Sequence, residues 1–448
     1  MNSHMKNKFT CVLAVMLCAG LPNVYAADYF VAMGGSDGNA GTADAPFSTL
    51  ARGLSAANDA IDNGGEPTAT VHLADGTCDI TDDSEPLLLD HAAEPRTVCV
   101  FETGKGNPRN GEGDFVRLND GGICFAYAKF VGKNRWDDTP ATIMMRTSRD
   151  EGETWSEDRE IIKREAKLNV MSVSFLRLDA KRIAIFYLRK NSASDCTPYM
   201  RVTDDDFKTL GEPKRLMAKD DTDYYVCNNA RAVRMKSGRI ALPLARHSGK
   251  IDGKSSIMGR LSCLYSDDSG ETWKKGGEYV VTDKDGKRVY VQEPGLVELD
   301  DGRLYMYART NRGRQWQMFS RDGGETWGDF GPSPIVGPRG PATIIRLKSG
   351  KLLLVWNDHE GREYLLKRGP KWLAGMRAPL TTAISHDEGK SWVSRRLVET
   401  DEKGFYCYFA AFETDDSSIL LHYYDKPYLL SSRMKKIPLK WVFGETEH

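Results

Sequence analysis

The eight residues SRDEGETW, 148–155, decide how this chain is read. They return as SDDSGETW from Ser266, SRDGGETW from Ser320 and SHDEGKSW from Ser385. A degenerate copy, TDDDFKTL from Thr203, has Phe207 where the others have glycine. The copies recur roughly every 55–65 residues, a period at which each unit is one supersecondary element unable to bury its own apolar face. Each box has the chemistry of a tight turn. Ser and Asp side chains bond nearby backbone N–H groups, Gly takes positive φ, and Trp packs between layers. Those duties are structural, so the box reads as scaffold.

A second repeat lies between the boxes: DFVRLNDGGICFAY, SVSFLRLDAKRIAIFY, ARAVRMKSGRIALPL, GLVELDDGRLYMYA, TIIRLKSGKLLLVW and AAFETDDSSILLHYY. Each is apolar or alternating on both sides of a two-residue turn, which is a hairpin signal. Six hairpins, most followed by a further pair of strands carrying a box, predict six four-stranded sheets closed into a β-propeller. The last repeat lacks a box, and TVCVF, residues 97–101, stands just before the first hairpin. That strand is expected to complete the sixth blade and close the ring. The expected fold class is therefore all-β: a six-bladed β-propeller over residues 97–448, with a small N-terminal α/β appendage over 27–96.

The appendage differs in kind. YFVAMGGSDGNAGTADAPFSTLARGLSAANDAI followed by HLADGTCDI resembles the opening of right-handed parallel β-helix proteins. One coil cannot bury its own faces, so it is expected to pack on the propeller without a site of its own, through a connection at residues 81–96. Ahead of it, Lys6 and Lys8 precede CVLAVMLCAGL, and VYA ends at Ala26. This is the pattern of a secretory signal peptide over residues 1–26, cleaved near Ala26, and it implies a secreted or periplasmic protein. No lipidation box surrounds Cys18, and no later segment is apolar for long enough to span a bilayer.

With 448 residues, a formal charge of -1, 40% hydrophobic and 28% charged residues, the composition is that of a soluble globular chain. It gives no reason to expect nucleic acid or membrane insertion. Beyond the signal, Cys78, Cys99, Cys124, Cys196, Cys227, Cys263 and Cys407 are odd in number and scattered, neither a disulfide framework nor a CxxC site. They read as small apolar core residues, with a Cys78–Cys99 bridge as the alternative. His247, His359, His386 and His422 stand apart from ligand spacings, so no metal is expected. MGGSDG lacks a P-loop or dinucleotide context, so no cofactor is expected either.

Hairpin geometry indicates which residues reach the rim where propeller ligands collect. Glu293 and Arg309 lie about eight residues to either side of the Asp301-Gly302 turn, which sets a carboxylate beside a guanidinium. Arg109 precedes the first turn by about 11 residues, Tyr406 precedes the last by about 10, and Arg231 and Arg246 bracket the third. Asn228, Asn229, His247, Arg189 and Lys190 crowd the same rim, as pocket residues or as plain surface. The bland alternatives are an ordinary Glu293–Arg309 ion pair, a core aromatic at Tyr406 or Tyr408, and a solvated Arg377.

The boxes, the hairpins and QEPGLVELDDGRLYMYART together resemble the sialidase (exo-α-neuraminidase) superfamily over residues 97–443. The resemblance implies a retaining glycosidase that removes terminal sialic acid, or a related carboxylate-bearing sugar, from a glycan. Three arginines hold the sugar carboxylate, a Tyr attacks with help from a Glu, and an Asp is the general acid/base. Glu293 and Arg309 stand in the family's E…VELxDG…R segment. Arg377 precedes the Ser385 box by eight residues, and Tyr406 in FYCYFAAF opens the last hairpin. Asp137, eleven residues before the Ser148 box, takes the acid/base place, with Asp138 as the alternative. Arg109 takes the first arginine's place, although Pro-Arg-Asn replaces the family's aromatic-Arg-Ile-Pro and about two extra residues precede the turn. Arg231, Asn229 and Arg246 are expected as further substrate contacts.

The physics is coherent. Clustered guanidiniums select an anion, and a neutral phenol avoids the repulsion that a carboxylate nucleophile would meet beside it. Two rival readings remain: a carbohydrate-binding propeller without catalysis, and a polysaccharide lyase acting on uronic acids.

Overall fold

The computed structural model describes residues 12–16, 27–32, 35–48, 52–53, 55–56, 68–73, 94–247, 250–251, 254–255, 258–368, 375–425 and 430–444. They belong to two units, 1–91 and 92–448. In the first, strands Val12–Met16, Thr68–Leu73 and Ala27–Val31 form one sheet in that order, the last two parallel. Phe47 is buried there, its ring 6.2 Å from that of Tyr29. Gly41, at φ 78°, leaves the space this ring needs, since a Cβ would sit 2.3 Å from it. Most of the expected signal segment, most of the 81–96 connection and Cys78 lie outside the described residues. No helix among the described residues is long and apolar enough to cross a membrane.

The second unit is a ring of six antiparallel sheets. Their innermost strands begin at Arg109, Asn169, Tyr225, Val291, Thr343 and Cys407. Apolar residues of the two inner strands of each sheet pack blade against blade, as Ile183, Ile185 and Tyr187 do against Val116, Cys124 and Ala126. The sixth sheet takes its outermost strand from the start of the unit: Arg96–Phe101 pairs with Ser432–Pro438, Met434 opposite Cys99. This closure joins the two ends of the ring. Cys124, Cys196, Cys227, Cys263 and Cys407 are buried free thiols, and Cys99 accepts a hydrogen bond from Arg146 at 3.2 Å.

The boxes close the third strand of their blades. In the first, Ser148 Oγ accepts the Gly152 N–H at 2.8 Å, Asp150 accepts the Thr154 N–H at 2.9 Å, and Trp155 Nε1 donates to the Gly152 carbonyl at 3.1 Å. The boxes from Ser266, Ser320 and Ser385 repeat the Ser and Asp bonds. In the degenerate copy Phe207 adopts φ 64° in place of glycine, and its ring is buried. Register puts the boxes at the hairpin-turn end of the blades, because Ser148 pairs with Ile123, just past the first turn. Arg109 pairs with Phe130 at the other end. The ring thus has a turn-and-box face and, opposite it, a face where the inner strands begin.

Candidate active site

The inner strands share a defect near the second face. In four blades two residues oppose one: Glu112 and Gly113 face Tyr127, Ser172 and Val173 face Tyr187, Glu293 and Pro294 face Ala308, and Tyr408 and Phe409 face Tyr423. The first residue of each bulge is left-handed, at φ 56°, 59°, 48° and 59° for Glu112, Ser172, Glu293 and Tyr408. A non-glycine residue held there costs about 1–2 kcal/mol, and bulges re-aim side chains next to sites. All four side chains line one cavity of about 880 Å³ on the axis.

On one side of the cavity Tyr408 donates its O–H to Glu293 Oε1 at 3.1 Å. Arg309 Nη1 lies 2.7 Å from Glu293 Oε2, and Arg309 Nη2 donates to the side-chain oxygen Oε1 of Gln292. Burial first, then the neighbouring Glu293 charge, pushes the Tyr408 phenol well above its ordinary range. The hydroxyl is therefore neutral and needs a base to lose its proton.

On the other side Arg109 is fully engaged. Its guanidinium pairs with Glu112 and, at 2.6 Å, with Asp137, and Nε donates to Tyr424 Oη at 2.9 Å. Ser172 donates to the second Glu112 oxygen at 2.6 Å. Burial raises the Glu112 carboxyl in spite of Arg109. Asp137 sits at the mouth with 58% of its side chain exposed. Desolvation by the surrounding cavity walls works to raise its carboxyl even so, but Arg109 outweighs that and holds it below the usual range.

Arg377 is different again. It is buried and lines the cavity, and its Nη2 donates to the Arg339 carbonyl at 3.3 Å. Its Nε is buried without a hydrogen-bond acceptor, and it pairs with no carboxylate among the described residues. An anion entering here would meet the Arg377 guanidinium, free of an ion pair among the described residues, in the same cavity wall as the partly satisfied Arg309.

The structure thus brings Glu293, Asp137, Arg109, Arg309 and Arg377 to one cavity, together with Asn228 and His247. It does not bring Tyr406, Arg231, Asn229 or Arg246 to the cavity wall. Tyr406 precedes the strand, and its ring lies beneath Gly404 in the apolar cluster with Leu380 and Tyr423. Arg231 spans the interior from the third blade to the fifth, donating to the Ala342 carbonyl at 2.8 Å and Thr343 Oγ1 at 3.1 Å. Asn229 lies under the cavity floor, where its amide donates to the carbonyls of Gly113 at 3.0 Å and Tyr408 at 3.3 Å. Arg246 is held on its own blade by Asp223 at 2.7 Å and Glu278 at 3.3 Å. Asp138 is exposed and is not part of the cavity wall.

Sequence reasoning missed Glu112, Ser172 and Tyr424, and chose Tyr406 over Tyr408. A signal was present. Glu112, Glu293 and Tyr408 each stand nine residues before the positive-φ residue of their hairpin turn, Gly121, Gly302 and Ser417. Among the described residues no cluster of three or more His, Cys, Asp or Glu could hold a metal.

Six blades, five of them four-stranded and the third with its inner strand split into Tyr225–Val226 and Val233–Arg234, four of the six closed by Asp boxes, surround an arginine-lined cavity and define a propeller of the sialidase superfamily. Residues 127–421 match the BNR repeat-like domain, and the chain belongs to that family. An anhydrosialidase of Macrobdella decora is 29% identical over 198 residues, which span 42% of this chain and only 23% of that protein. A Dyadobacter fermentans protein of unknown function has a similar structure, with a TM-score of 0.60 at 18% identity, covering 77% of this chain and 99% of its own. The Hadza microbial sialidase Hz136 gives 0.60 at 17%, over 77% and 68%. The leech intramolecular trans-sialidase bound to 2,7-anhydro-Neu5Ac gives 0.59 at 15%, over 79% and 71%. At these identities the structural likeness establishes the fold.

Proposed function

We propose that the cavity cleaves the glycosidic bond of a terminal sialic acid, or of a related sugar carrying a carboxylate, with retention. One observation carries the reading: Tyr408 donates to Glu293, Glu293 is held by Arg309, and Arg377, without an ion-paired carboxylate among the described residues, lies in the same cavity wall. Arg377 and Arg309 take the sugar carboxylate, which meets their unsatisfied N–H groups. The Tyr408 oxygen attacks the anomeric carbon while its proton passes to Glu293 and Asp137 protonates the departing oxygen. In the second step Asp137 takes a proton from water, the water oxygen attacks the anomeric carbon, and Tyr408 leaves and recovers its proton from Glu293. Glu112 with Ser172 orients Arg109, and Arg109 in turn holds Asp137 over the mouth. Export is part of the same proposal, supported by the N-terminal pattern ending at Ala26.

The test is release of 4-nitrophenol from its α-sialoside by the wild type and by two single variants. Tyr408→Phe is expected to abolish turnover while the variant still binds free sialic acid, and Tyr406→Phe is expected to retain it. Turnover that survives in Tyr408→Phe and vanishes in Tyr406→Phe would reverse the assignment. A wild type that binds the sugar but releases nothing would favour a carbohydrate-binding propeller.

A further inference from the structure

Trp136 stands at the mouth of the cavity with 62% of its surface exposed, more than any other large hydrophobic residue among those described. An indole left in water gives up hydrophobic stabilisation, and a mobile loop would fold it away. This loop is braced instead. Val131 N–H donates to the Pro140 carbonyl at 2.7 Å and closes its base. Trp136 N–H donates to Asn134 Oδ1 at 3.2 Å, and its carbonyl accepts from the Thr139 N–H at 3.0 Å. From the second blade, Asn169 donates to the carbonyls of Asp137 at 2.6 Å and Thr139 at 2.9 Å. Asp137 itself is tied to Arg109. The Arg135 guanidinium carbon lies 5.5 Å from the indole centroid.

We infer that Trp136 is the platform on which the leaving-group sugar stacks, so that the site prefers a sialic acid linked to a second sugar over one linked to a small alcohol. The inference rests on Asp137 as the acid. Asp137 must touch the oxygen that joins the two sugars, and Trp136 is its chain neighbour, one Cα step of about 3.8 Å away. With the cleaved sugar held inward by Arg377 and Tyr408, the second ring projects toward the mouth, where Trp136 lines the wall. A pyranose presents a face of C–H groups, and the negative face of an indole is the side chain best matched to it.

The experiment compares 3′-sialyllactose with the methyl α-glycoside of sialic acid on the wild type, Trp136→Ala and Trp136→Phe. For Trp136→Ala, kcat/KM on the trisaccharide is expected to fall about tenfold, carried by KM, as the loss of one aromatic stacking contact predicts. On the methyl glycoside it is expected to stay within about twofold, and Trp136→Phe should recover most of the loss. Because the residue is exposed, the variants are expected to fold. An equal loss on both substrates, or no loss on the trisaccharide, would overturn the inference while the reaction stands. A wild type that cleaves neither substrate would overturn the reaction reading and the inference together.

Discussion

The two faces of the propeller use similar polar residues to opposite ends. On the turn face each box satisfies itself. Asp268 accepts from Thr272, Ser266 accepts from Gly270, and the arrangement is copied around the ring with the same residues. On the cavity face the backbone is what repeats, as a left-handed bulge in four blades, while the side chain placed on it changes: Glu112, Ser172, Glu293, Tyr408. There the polar atoms are not all satisfied, and Arg309 Nε and Arg377 Nε are buried without acceptors. A repeat that keeps both backbone and residue holds the fold. A repeat that keeps only the backbone presents chemistry.

The sharpest way to break this contrast is to exchange the two tyrosines that the sequence could not separate. Tyr408→Phe removes the cavity hydroxyl and is expected to lower kcat by about a thousandfold or more, as the loss of a covalent nucleophile does. Tyr406→Phe removes a hydroxyl outside the cavity wall and is expected to leave kcat within about twofold. Steady-state rates on one chromogenic sialoside decide it; comparable losses in both would mean that the bulge confers nothing special.

A smaller effect is expected at Asn229, which joins two bulges from beneath without reaching the cavity wall. Asn229→Ala leaves the carbonyls of Gly113 and Tyr408 short of a donor, at a cost of about 1–3 kcal/mol in stability. Displacing Tyr408 by a fraction of an ångström should lower kcat roughly tenfold with KM little changed. Denaturant unfolding and steady-state kinetics on the same preparation test both halves. A stability loss with full activity would make Asn229 a fold residue alone.

The pH profile probes the same face more gently. Arg109 holds Asp137 below the usual carboxylate range. As an acid, Asp137 must be protonated in the free enzyme, so kcat/KM is expected to fall as pH rises through an acidic limb. Arg109→Met removes the lowering charge, and the limb should then move to higher pH, whereas Arg109→Lys should leave it nearly in place. A limb that stays put in Arg109→Met would remove Asp137 from the acid role.

Where sequence and structure part company follows from the same contrast. The boxes and hairpins were legible because turn chemistry is local: an Asp, a Gly and a Trp at fixed offsets mean the same thing in any blade. Ring closure by residues 97–101 could be counted from the missing strand. Glu293 and Arg309 could be paired because one hairpin contains both. Tyr408 could not be told from Tyr406, since a strand of period two sends both to the same face, and only the bulge between Cys407 and Ala410 re-aims Tyr408. Arg231 reads as a pocket residue because counting from the third turn brings it to the rim, where Asn229 crowds beside it. Their partners, Gly113, Ala342, Thr343 and Tyr408, come from other blades, and no local pattern announces them.

The smallest expected effect separates the two faces by acid alone. Hydrogen bonds from Thr272 and Ser266 hold Asp268 at about 2, and Asp150 and Asp387 are also held at about 2, against an ordinary 3.8. A carboxyl depressed in the folded state gives stability that is complete above about pH 4 and is lost as pH falls toward 2. Asp114, on the first inner strand beside the Glu112 bulge, goes the other way: burial pushes it up to about 7 in spite of N–H bonds from Phe175 and Phe115. Its linkage therefore adds stability as pH falls from about 7 to 4. The two windows do not overlap, so each face can be read separately. Asp268→Asn should flatten the unfolding curve between pH 4 and 2, with a Tm change at neutral pH of only about 2 °C and unchanged turnover. Asp114→Asn should flatten it between pH 7 and 4. Thermal unfolding across pH 2–8 measures both, and a box variant that altered turnover at neutral pH would show that the turn face is not scaffold alone.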